Sequence, residues 1–559
     1  MHATETHPVR SAQRVIDELQ ARGVRYIFGV PGAKIDQVYD ALADGGPRLV
    51  VCRHEQNAAF MAAAVGRLTG IPGVVLVTSG PGTANLATGL VTADTEGDPV
   101  LALCGAVPRA GRLKRTHQSM NAETLLAAVT KYTGEVDDPD NVPEAVANAL
   151  RAAVTEPRGA AALILPSDVM AAPTAERIAR PPAVGALGPA PAAGVERAAR
   201  LIRSARRPAL LAGARGAGPA ASAAVRALLA GIPGLPLVET FQAAGLVSRE
   251  LESHYLGRVG LFRNQPGDMV IGAADVVVTV GFDPVEYDPA LWNAGAREIV
   301  HVDSIPAQID NRYQPALELR GDVAATVGEL DRALTGLTLN DEHRMEIAAQ
   351  RQALAAIDDI AGSRDHGLTG MNPTALVLRL REELADDATV TCDVGSNYVY
   401  MARHFRAYRP RHLLFSNGQQ TLGVALPWAI AATLVRPGTQ VVSVSGDGGF
   451  LYSSMELDTA VRLGATFTHV IMRDNGYDMV GFQQLLKFGR KVGVELGDLD
   501  VVRYAEAFGA HGHRVRSSEE FVPTLRRALA EPGPSVVDVP VDYTHNTELY
   551  AHLSDDPFE

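Results

Sequence analysis

Cysteine and tryptophan are scarce in this chain of 559 residues, which contains three cysteines and two tryptophans. Cys52, Cys104 and Cys392 are too few and too scattered to form a disulfide framework or a zinc site, so we expect three buried thiols. Aromatic residues make up 5% of the chain, which gives no stacking platform for single-stranded nucleic acid. The net charge of −13 likewise argues against nucleic acid as a general partner.

Long apolar runs are also absent, and no segment reaches the length of a membrane span. The first ten residues, MHATETHPVR, lack the apolar core of a signal peptide, so we expect a cytoplasmic protein without membrane association. No GxxxxGK[ST] phosphate loop is present either. The hydrophobic fraction of 47% and the charged fraction of 21% are typical of globular proteins.

Two compositional breaks divide the chain into three parts. Residues 172–194 are rich in proline and alanine without an apolar period, and residues 336–370 are polar and helical before a loop. Strand-like apolar runs alternate with helical stretches in each of the three parts, which predicts an α/β protein with three doubly wound parallel-sheet domains. The predicted domains are residues 1–171, 195–335 and 371–559, the last with a C-terminal tail, and 172–194 and 336–370 are linkers.

A strand-helix-strand unit is predicted in the third part. Residues 439–445 and 467–473 have the apolar character of buried parallel strands, and residues 451–463 have helical spacing before Gly464. A right-handed crossover brings the loops after both strands to one sheet edge, so Asp447 and Asp474 are predicted neighbours. Two carboxylates beside glycines suit Mg²⁺ and a phosphate, although Asp and Gly are also ordinary turn residues.

A second constellation lies in the first part. Residues 53–70 begin with a polar cluster and continue as an alanine-rich helix, which buries Glu55 near the helix N-terminus. Favourable interaction with the helix dipole would alone explain an acid at that position. The next strand, GVVLVTS, leads into the glycine-proline turn SGPGTAN at residues 79–85.

These motifs together resemble those of the thiamine-diphosphate-dependent enzymes. The resemblance extends along essentially the whole chain and rests on the segments RHEQNAAF, TSGPGTANLATG, CDVGS, and GDG followed by DN. Within that superfamily the chain is most similar to the catabolic, flavin-independent acetolactate synthases, through IFGVPGAKIDQVYDAL, RLKRTHQS, GLFRNQPGD, SNGQQTLGVALPWAI and VDVPVDY. The resemblance implies pyrimidine-binding, central and diphosphate-binding domains, with active sites shared between two subunits.

The resemblance also implies the cofactors and the residues that hold them. Thiamine diphosphate and Mg²⁺ are expected, with the metal held by Asp447, Asp474 and the carbonyl of Gly476; many relatives have asparagine where this chain has Asp474. The expected cofactor-binding residues are Pro31, Glu55, Pro81, Asn85, Gly395, Ser396, Asn397, Gln420, Leu422, Asp447, Gly448, Gly449, Asn475, Tyr477 and Met479. Leu422 matches the bulky residue that supports the bent shape of the cofactor.

The expected chemistry follows the family. Glu55 matches the glutamate that hydrogen-bonds the cofactor's pyrimidine ring and favours its imino form. Pyruvate then loses CO2, and the remaining two-carbon unit joins a second pyruvate to give 2-acetolactate. Lys34 and Gln118 lie in motifs that approach the substrate in this family, although a surface lysine and a loop glutamine are the plain alternatives. Gln483 is the fourth residue expected to take part in catalysis.

Two departures from the flavin-containing biosynthetic relatives refine the expectation. Their central domain carries an RFDDR-like motif, whereas residues 280–289 here are VGFDPVEYDP, so we expect no FAD. They place tryptophan where this chain has Gln483, and the loss of that apolar contact should disfavour 2-oxobutyrate as acceptor by about 1–3 kcal/mol. Pyruvate is therefore expected as both donor and acceptor.

Rival functions remain open on the same scaffold. A flavin-dependent pyruvate oxidase would share Glu55 and the metal motif, and a simple 2-oxo acid decarboxylase would release an aldehyde. A regulatory paralogue that binds the cofactor without turnover is the third alternative, although the intact Glu55, Asp447 and Asp474 argue against it. The expected assembly is a homodimer at minimum and a homotetramer by family pattern, without a regulatory subunit.

Overall fold

The computed structural model describes residues 9–112, 114–180, 186–261, 263–295, 297–362 and 370–550. Parts of the predicted linkers 172–194 and 336–370, and the predicted C-terminal tail after residue 550, lie outside the described residues. Within the described ranges, every helix is too short or too polar to span a lipid bilayer. Cys52, Cys104 and Cys392 are buried free thiols, which confirms the expectation from composition.

The first six-stranded sheet has the strand order β3-β2-β4-β5-β7-β6, and all neighbouring strands run parallel. A separate two-stranded antiparallel ribbon pairs β1 with β8. The elements of this region are β1 (Val9–Arg10), α1 (Ser11–Ala21), β2 (Tyr26–Val30), α2 (Asp36–Ala41), β3 (Arg48–Val51), α3 (Glu55–Thr69), β4 (Gly73–Val77), α4 (Pro81–Ala84), α5 (Ala87–Glu96), β5 (Val100–Ala106), α6 (Ala122–Ala127), β6 (Tyr132–Glu135), α7 (Val142–Val154), β7 (Ala160–Pro166), α8 (Ser167–Ala171) and β8 (Pro173–Thr174).

The second sheet, also entirely parallel, has the order β11-β10-β9-β12-β13-β14. Its central strand Val276–Val280 is β-branched and buried along its whole length, as expected when helices cover both faces of a parallel sheet. The elements are α9 (Ala192–Ser204), β9 (Pro208–Ala212), α10 (Pro219–Gly231), β10 (Leu237–Thr240), β11 (Tyr255–Val259), α11 (Pro266–Ala273), β12 (Val276–Val280), α12 (Pro289–Trp292), β13 (Glu298–Asp303), β14 (Leu317–Arg320) and α13 (Val323–Ala333).

The third sheet has the order β16-β15-β17-β18-β20-β19 and is again parallel throughout. The elements are α14 (Asp341–Gly362), α15 (Pro373–Glu383), β15 (Thr389–Cys392), α16 (Ser396–His404), β16 (Leu413–Leu414), α17 (Ala425–Val435), β17 (Val441–Gly446), α18 (Asp447–Ser453), α19 (Leu457–Leu463), β18 (Phe467–Arg473), α20 (Asp478–Phe488), α21 (Val501–Ala507), β19 (His511–Arg514), α22 (Ser518–Ala530) and β20 (Pro534–Pro540). Three parallel sheets flanked by helices confirm the predicted fold class. The domain boundaries stay a prediction.

The strand-helix-strand prediction is confirmed for both strands, because β17 pairs in parallel with β18. The single helix predicted over 451–463 is wrong: the structure has α18 from Asp447, a turn of 3-10 helix at Ser454–Glu456, and then α19. The chain turns at the 3-10 segment so that the side chain of Glu456 faces the backbone of residues 53 and 54, a tertiary contact that periodicity does not encode. Gly464 ends α19 in the left-handed conformation, as predicted.

By compactness the chain divides into two units. Unit one consists of residues 1–184, 418–438 and 451–465 and contains the first sheet together with α17 and α19. Unit two consists of residues 185–417, 439–450 and 466–559 and contains the second and third sheets. In unit one α17 packs on α3, where the Arg67 guanidinium lies 4.6 Å from the centre of the Trp428 ring.

Candidate active site

In unit one three of the predicted pyrimidine-binding residues, Pro31, Pro81 and Asn85, lie beyond the carboxyl ends of β2 and β4. These strands are neighbours at the switch point of the first sheet, because β3 follows β2 in the chain but lies on its other side. Open parallel sheets bind their ligands at such a point. Pro31 and Lys34 follow β2, and Pro81 and Asn85 lie at and beyond the start of α4 after β4. The two loops touch where the Lys34 amide lies 3.4 Å from Thr78 Oγ1.

Glu55 is the first residue of α3 and is 9% exposed. Asn85 Nδ2 donates a hydrogen bond of 2.9 Å to Glu55 Oε2, so a residue from the predicted constellation orients the carboxylate. A Cβ added at Gly82 would lie 3.4 Å from Glu55 Oε1, so the glycine allows the loop after β4 to approach the acid closely. His54 caps the helix, because its Nδ1 accepts a hydrogen bond from the Gln56 amide.

A cavity of about 450 Å³ opens beside Gln118 in unit one. The hydroxyl of Ser79 is buried in its wall and has no hydrogen-bond partner among the described residues, so it is available to a polar ligand. Lys114 and Arg115 add two cations to the lining, and neither makes an ion pair with a described residue. Gln118 itself has a φ of 60°, an uncommon conformation for a residue with a side chain. Sequence reasoning missed Ser79, Lys114 and Arg115 although the quoted motifs contain them.

The segment expected to meet the aminopyrimidine, residues 420–423, also belongs to unit one. Helix α5 holds this segment: Glu96 accepts a hydrogen bond of 2.8 Å from the Gly418 amide, and the hydroxyls of Thr92 and Thr421 are 2.8 Å apart. Gln420 is exposed and has a φ of 47°, whereas Leu422 is half-buried. Helix α5 therefore contacts Gly418 and Thr421, beside the positions expected to meet the aminopyrimidine.

In unit two the predicted diphosphate-binding residues follow β15 and β17, which are neighbours at the switch point of the third sheet, and β18, which lies next to β17. Gly395 has a φ of 140°, and Asn397 Nδ2 donates a hydrogen bond of 2.8 Å to the carbonyl of Asp393. Ser396 donates to Asp478 Oδ2 at 2.5 Å. Gly395, Ser396 and Asn397 thus form the rigid N-terminal turn of α16.

The GDG segment packs closely against its neighbours. A Cβ on Gly448 would lie 2.6 Å from the Tyr477 ring, and one on Gly449 would lie 3.0 Å from the Asp393 carboxyl. Asp447 accepts hydrogen bonds from the backbone amides of Gly448 at 2.9 Å and Asn475 at 2.7 Å. The amides and the acid therefore lie together at the end of β17.

Asp474 and Asn475, the DN segment after β18, lie on the other side of the Asp447 carboxylate. Asn475 has a φ of 60°, and Gly476 forms an isolated antiparallel bridge with Glu495. The pKa of Asp474 rises to about 7, first through loss of surrounding water and then through repulsion from Asp447 and Asp478. Burial also raises the pKa of Asp447. Acids that destabilise one another's charge fit a bound cation, which would relieve the repulsion.

Among the described residues no three His, Cys, Asp or Glu side chains cluster in a way that could hold a metal. Two carboxylates and a carbonyl nevertheless fit Mg²⁺, which takes its remaining oxygen ligands from a phosphorylated ligand and water. The site residues therefore fit a metal-diphosphate group, for which Asp447, Asp474 and the Gly476 carbonyl would supply the protein oxygens.

Sequence reasoning missed two residues beside this site. Asp478 starts α20, and its carboxylate accepts hydrogen bonds from Ser396 and from the Nδ2 of Asn546. Tyr400 fixes the other end of that amide, because its hydroxyl donates to Asn546 Oδ1 at 2.6 Å. Asp478 ends the sequence DNGYD, which could have drawn attention to it, whereas no sequence signal pointed to Asn546. The predicted residues Met479 and Gln483 lie on α20, where both are half-buried.

The central sheet has a comparable switch point between β9 and β12, filled by side chains. Glu286 accepts hydrogen bonds from the Ala214 amide at 3.0 Å and from the Thr240 hydroxyl at 2.6 Å. Arg215 binds both oxygens of Asp303 and also Asp283. Burial raises the pKa of Glu286 to about 7, although its hydrogen bonds and Arg215 oppose the rise.

Known protein families match the chain in three places. The N-terminal TPP (thiamine pyrophosphate) binding domain of thiamine pyrophosphate enzymes matches residues 9–125, their central domain matches 195–330, and their C-terminal TPP binding domain matches 393–539. Each match spans one of the parallel sheets or most of it. This domain set defines a thiamine-pyrophosphate-dependent enzyme, whose cofactor is thiamine diphosphate.

Three curated relatives narrow the class. An acetolactate synthase of Bacillus subtilis (strain 168) is 51% identical over 97% of this chain and 94% of its own length. A catabolic acetolactate synthase of Raoultella terrigena is 45% identical over 97% of both chains. The large subunit of acetolactate synthase isozyme 2 from Escherichia coli (strain K12) is 31% identical over 96% of both. The chain belongs to the acetolactate synthase family, with the catabolic type among its relatives.

Proposed function

We propose that this acetolactate synthase condenses two molecules of pyruvate to 2-acetolactate and releases CO2. The observation that carries the proposal is the buried Glu55 carboxylate, oriented by Asn85 at the switch point of the first sheet. A single acid held at this point suits proton exchange with a nitrogen base such as the cofactor's pyrimidine. The relatives named as acetolactate synthases support the same reaction.

The reaction balances without an external oxidant. The bond between the carboxylate and the carbonyl carbon of one pyruvate breaks, CO2 leaves, and the electron pair stays on that carbon. Thiamine diphosphate supplies the electron sink that stabilises this pair. The carbon then bonds to the carbonyl carbon of a second pyruvate, and the oxygen there takes up one proton.

In this proposal each half of the cofactor has its own set of residues. Asp447, Asp474 and the Gly476 carbonyl hold Mg²⁺, and the glycine amides beside Asp447 meet the diphosphate. Gly395, Ser396, Asn397, Asn475, Tyr477 and Met479 complete that set. Glu55 exchanges a proton with the pyrimidine, which Pro31, Pro81, Asn85, Gln420 and Leu422 surround. The hydrogen bonds that Gly448 and Asn475 donate to Asp447, and Asn397 to the Asp393 carbonyl, support the assignment of the diphosphate set, because preorganised polar groups stabilise charge without reorganisation.

Pyruvate is proposed to enter the cavity beside Gln118. A 2-oxo acid accepts hydrogen bonds through its carboxylate and carbonyl, which suits the unpartnered hydroxyl of Ser79 and the cations Lys114 and Arg115. Lys34 is proposed to approach the substrate from the loop after β2. Gln483 is proposed to favour pyruvate over 2-oxobutyrate as acceptor.

We further propose that the enzyme needs no FAD. At the switch point of the central sheet the Ala214 amide donates its hydrogen bond to the Glu286 carboxyl group. In an open sheet a phosphate would otherwise bind at this position. A Cβ on Gly213 would lie 2.6 Å from Glu286 Oε1, so the carboxylate lies directly against the loop after β9. A flavin pyrophosphate would have to displace the Glu286 side chain from this amide.

The proposed assembly is a homodimer at minimum, with a homotetramer expected and no regulatory subunit. Large apolar side chains are exposed along residues 480–492 of unit two, including Phe488 at 70% and Val492 at 66%. Exposed apolar groups of this kind mark interaction surfaces. Light scattering on the purified chain alone would determine the assembly.

The test is product analysis. Purified protein is incubated with pyruvate, thiamine diphosphate and Mg²⁺ without flavin, and acetolactate, acetaldehyde and acetate are quantified. We expect acetolactate as the main product and a colourless protein. Acetaldehyde would indicate simple decarboxylation, acetate with a flavin spectrum would indicate an oxidase, and no turnover would indicate a binding paralogue; each would overturn the proposal.

A further inference from the structure

Glu456 is a fully buried carboxylate in unit one that no catalytic motif includes. It lies in a short 3-10 turn at Ser454–Glu456, between α18 and α19, and its exposure is 0%. Burying a carboxylate is costly unless hydrogen-bond donors surround it. The identity of its donors therefore indicates what this acid does.

Four groups donate to this carboxylate. The backbone amide of Arg53 lies 3.0 Å from Oε1 and 3.3 Å from Oε2, and the amide of His54 lies 3.1 Å from Oε1. Asn57 Nδ2 donates to Oε1 at 3.2 Å, and the Thr459 hydroxyl donates to Oε2 at 2.6 Å. Three of the four donors belong to residues 53–57, which surround the start of α3.

The two backbone amides belong to the residues that directly precede Glu55. His54 is extended, with φ −148° and ψ 139°, and it caps the helix that Glu55 begins. Glu456 thus fixes the peptide planes that lead into the helix, and these planes determine the direction in which the Glu55 side chain leaves the backbone. Asn85 holds the other end of that side chain.

A carboxylate suits this task better than an amide would. Both of its oxygens accept, so one side chain can receive two backbone amides, an amide side chain and a hydroxyl together. A glutamine would keep only one accepting oxygen for the two backbone amides and Asn57, would have to place its NH2 group at the Thr459 hydroxyl, and would carry no charge. The Glu456 carboxylate also lies at the N-terminal end of α3, where the helix dipole favours an anion.

We propose that Glu456 is a positioning residue that orients Glu55, through the backbone of Arg53 and His54, for proton exchange with the pyrimidine of thiamine diphosphate. The inference rests on the proposed role of Glu55. It assigns no contact between Glu456 and the cofactor or the substrate.

The first readout does not require the cofactor. Hydrogen exchange of the backbone amides of residues 53 and 54 is followed by mass spectrometry in the wild type, Glu456→Gln and Thr459→Val. Thr459→Val is the matched control, because it removes one donor to Glu456 but leaves both backbone amides bound. We expect exchange at least tenfold faster in Glu456→Gln and unchanged in the control; unchanged exchange in Glu456→Gln would overturn the proposal.

The second readout is the deuterium exchange rate at the reactive carbon of bound thiamine diphosphate, measured by NMR after acid quench at saturating Mg²⁺. Glu456→Gln should slow this exchange about tenfold or more, whereas Thr459→Val should remain within threefold of the wild type. The dissociation constant for thiamine diphosphate should change less than threefold, because the diphosphate contacts lie elsewhere. The double variant Glu55→Gln/Glu456→Gln should be no slower than Glu55→Gln.

The outcomes separate the two hypotheses. If Glu55→Gln exchanges at the wild-type rate, the proposed role of Glu55 fails. If Glu55→Gln is slow but Glu456→Gln is not, only the positioning role fails. If Glu456→Gln slows the exchange by the same factor in the wild type and in Glu55→Gln, the positioning role also fails, because the two residues would then act independently. Glu456→Asp retains the charge but reaches less far, and it replaces Glu456→Gln if that variant fails to fold.

Discussion

Replacement of Glu55 by glutamine is the sharpest test of the proposed chemistry. The substitution keeps the shape of the side chain, and the glutamine oxygen can still accept the 2.9 Å hydrogen bond from Asn85. The free energy of unfolding should therefore change by less than about 1 kcal/mol. What is lost is the ability to exchange a proton with the cofactor.

The expected loss of activity follows from this role. A positioned acid or base contributes about 10²- to 10⁴-fold, so the barrier should rise by about 3 to 5 kcal/mol in Glu55→Gln. Asn85→Ala leaves Glu55 in place but removes its orienting partner. A hydrogen bond to a charged group is worth about 1.5–3 kcal/mol, so this variant should lose about ten- to a hundredfold.

The assay measures acetolactate formation from pyruvate at saturating thiamine diphosphate and Mg²⁺, with thermal unfolding of each variant in parallel. Glu329→Gln is the control, because it neutralises an acid that is 39% exposed and pairs with Arg332 on the surface. Such exposed pairs contribute little. Activity of Glu55→Gln within tenfold of the control would refute the reasoning, provided both proteins unfold at similar temperatures.

Three further predictions concern the metal, the acceptor and pH. Chelation by EDTA should abolish activity until Mg²⁺ is restored. Asp447→Asn should weaken the affinity for Mg²⁺ by more than the roughly 10- to 100-fold that loss of an outer-shell partner costs. An unchanged Mg²⁺ requirement in titrations of activity would contradict this prediction. Gln483→Trp should raise the preference for 2-oxobutyrate over pyruvate by about 1–3 kcal/mol in a competition assay, and an unchanged product ratio would argue against it. The buried Glu286 keeps a proton up to a pKa of about 7, whereas the unfolded chain releases it near 4.5, so the stability that this group contributes falls as pH rises between these values. From pH 5 to 8 the free energy of unfolding should therefore decline less in Glu286→Gln than in the wild type, by up to about 3 kcal/mol. Parallel profiles of the free energy of unfolding against pH would contradict the prediction.

Local sequence determined much of the fold. The β-branched runs at 439–445 and 467–473 formed strands because a parallel sheet buries both faces, and Gly464 ended a helix because it tolerates the left-handed conformation. The chain order of strands and helices then brought Asp447 to the same sheet edge as residues 474–476. The motifs also indicated thiamine diphosphate, which the family matches confirm.

Only the tertiary structure revealed the supporting residues. Asn546 lies beside Asp478, and Glu456 lies beside residues 53 and 54, although each pair is distant in the chain. Periodicity could not predict either contact, because it reports which face of an element is buried and not which distant group meets that face. The break in the helix over 451–463 has the same origin. A buried carboxylate is stable only where its donors converge, and that convergence exists only in the folded chain.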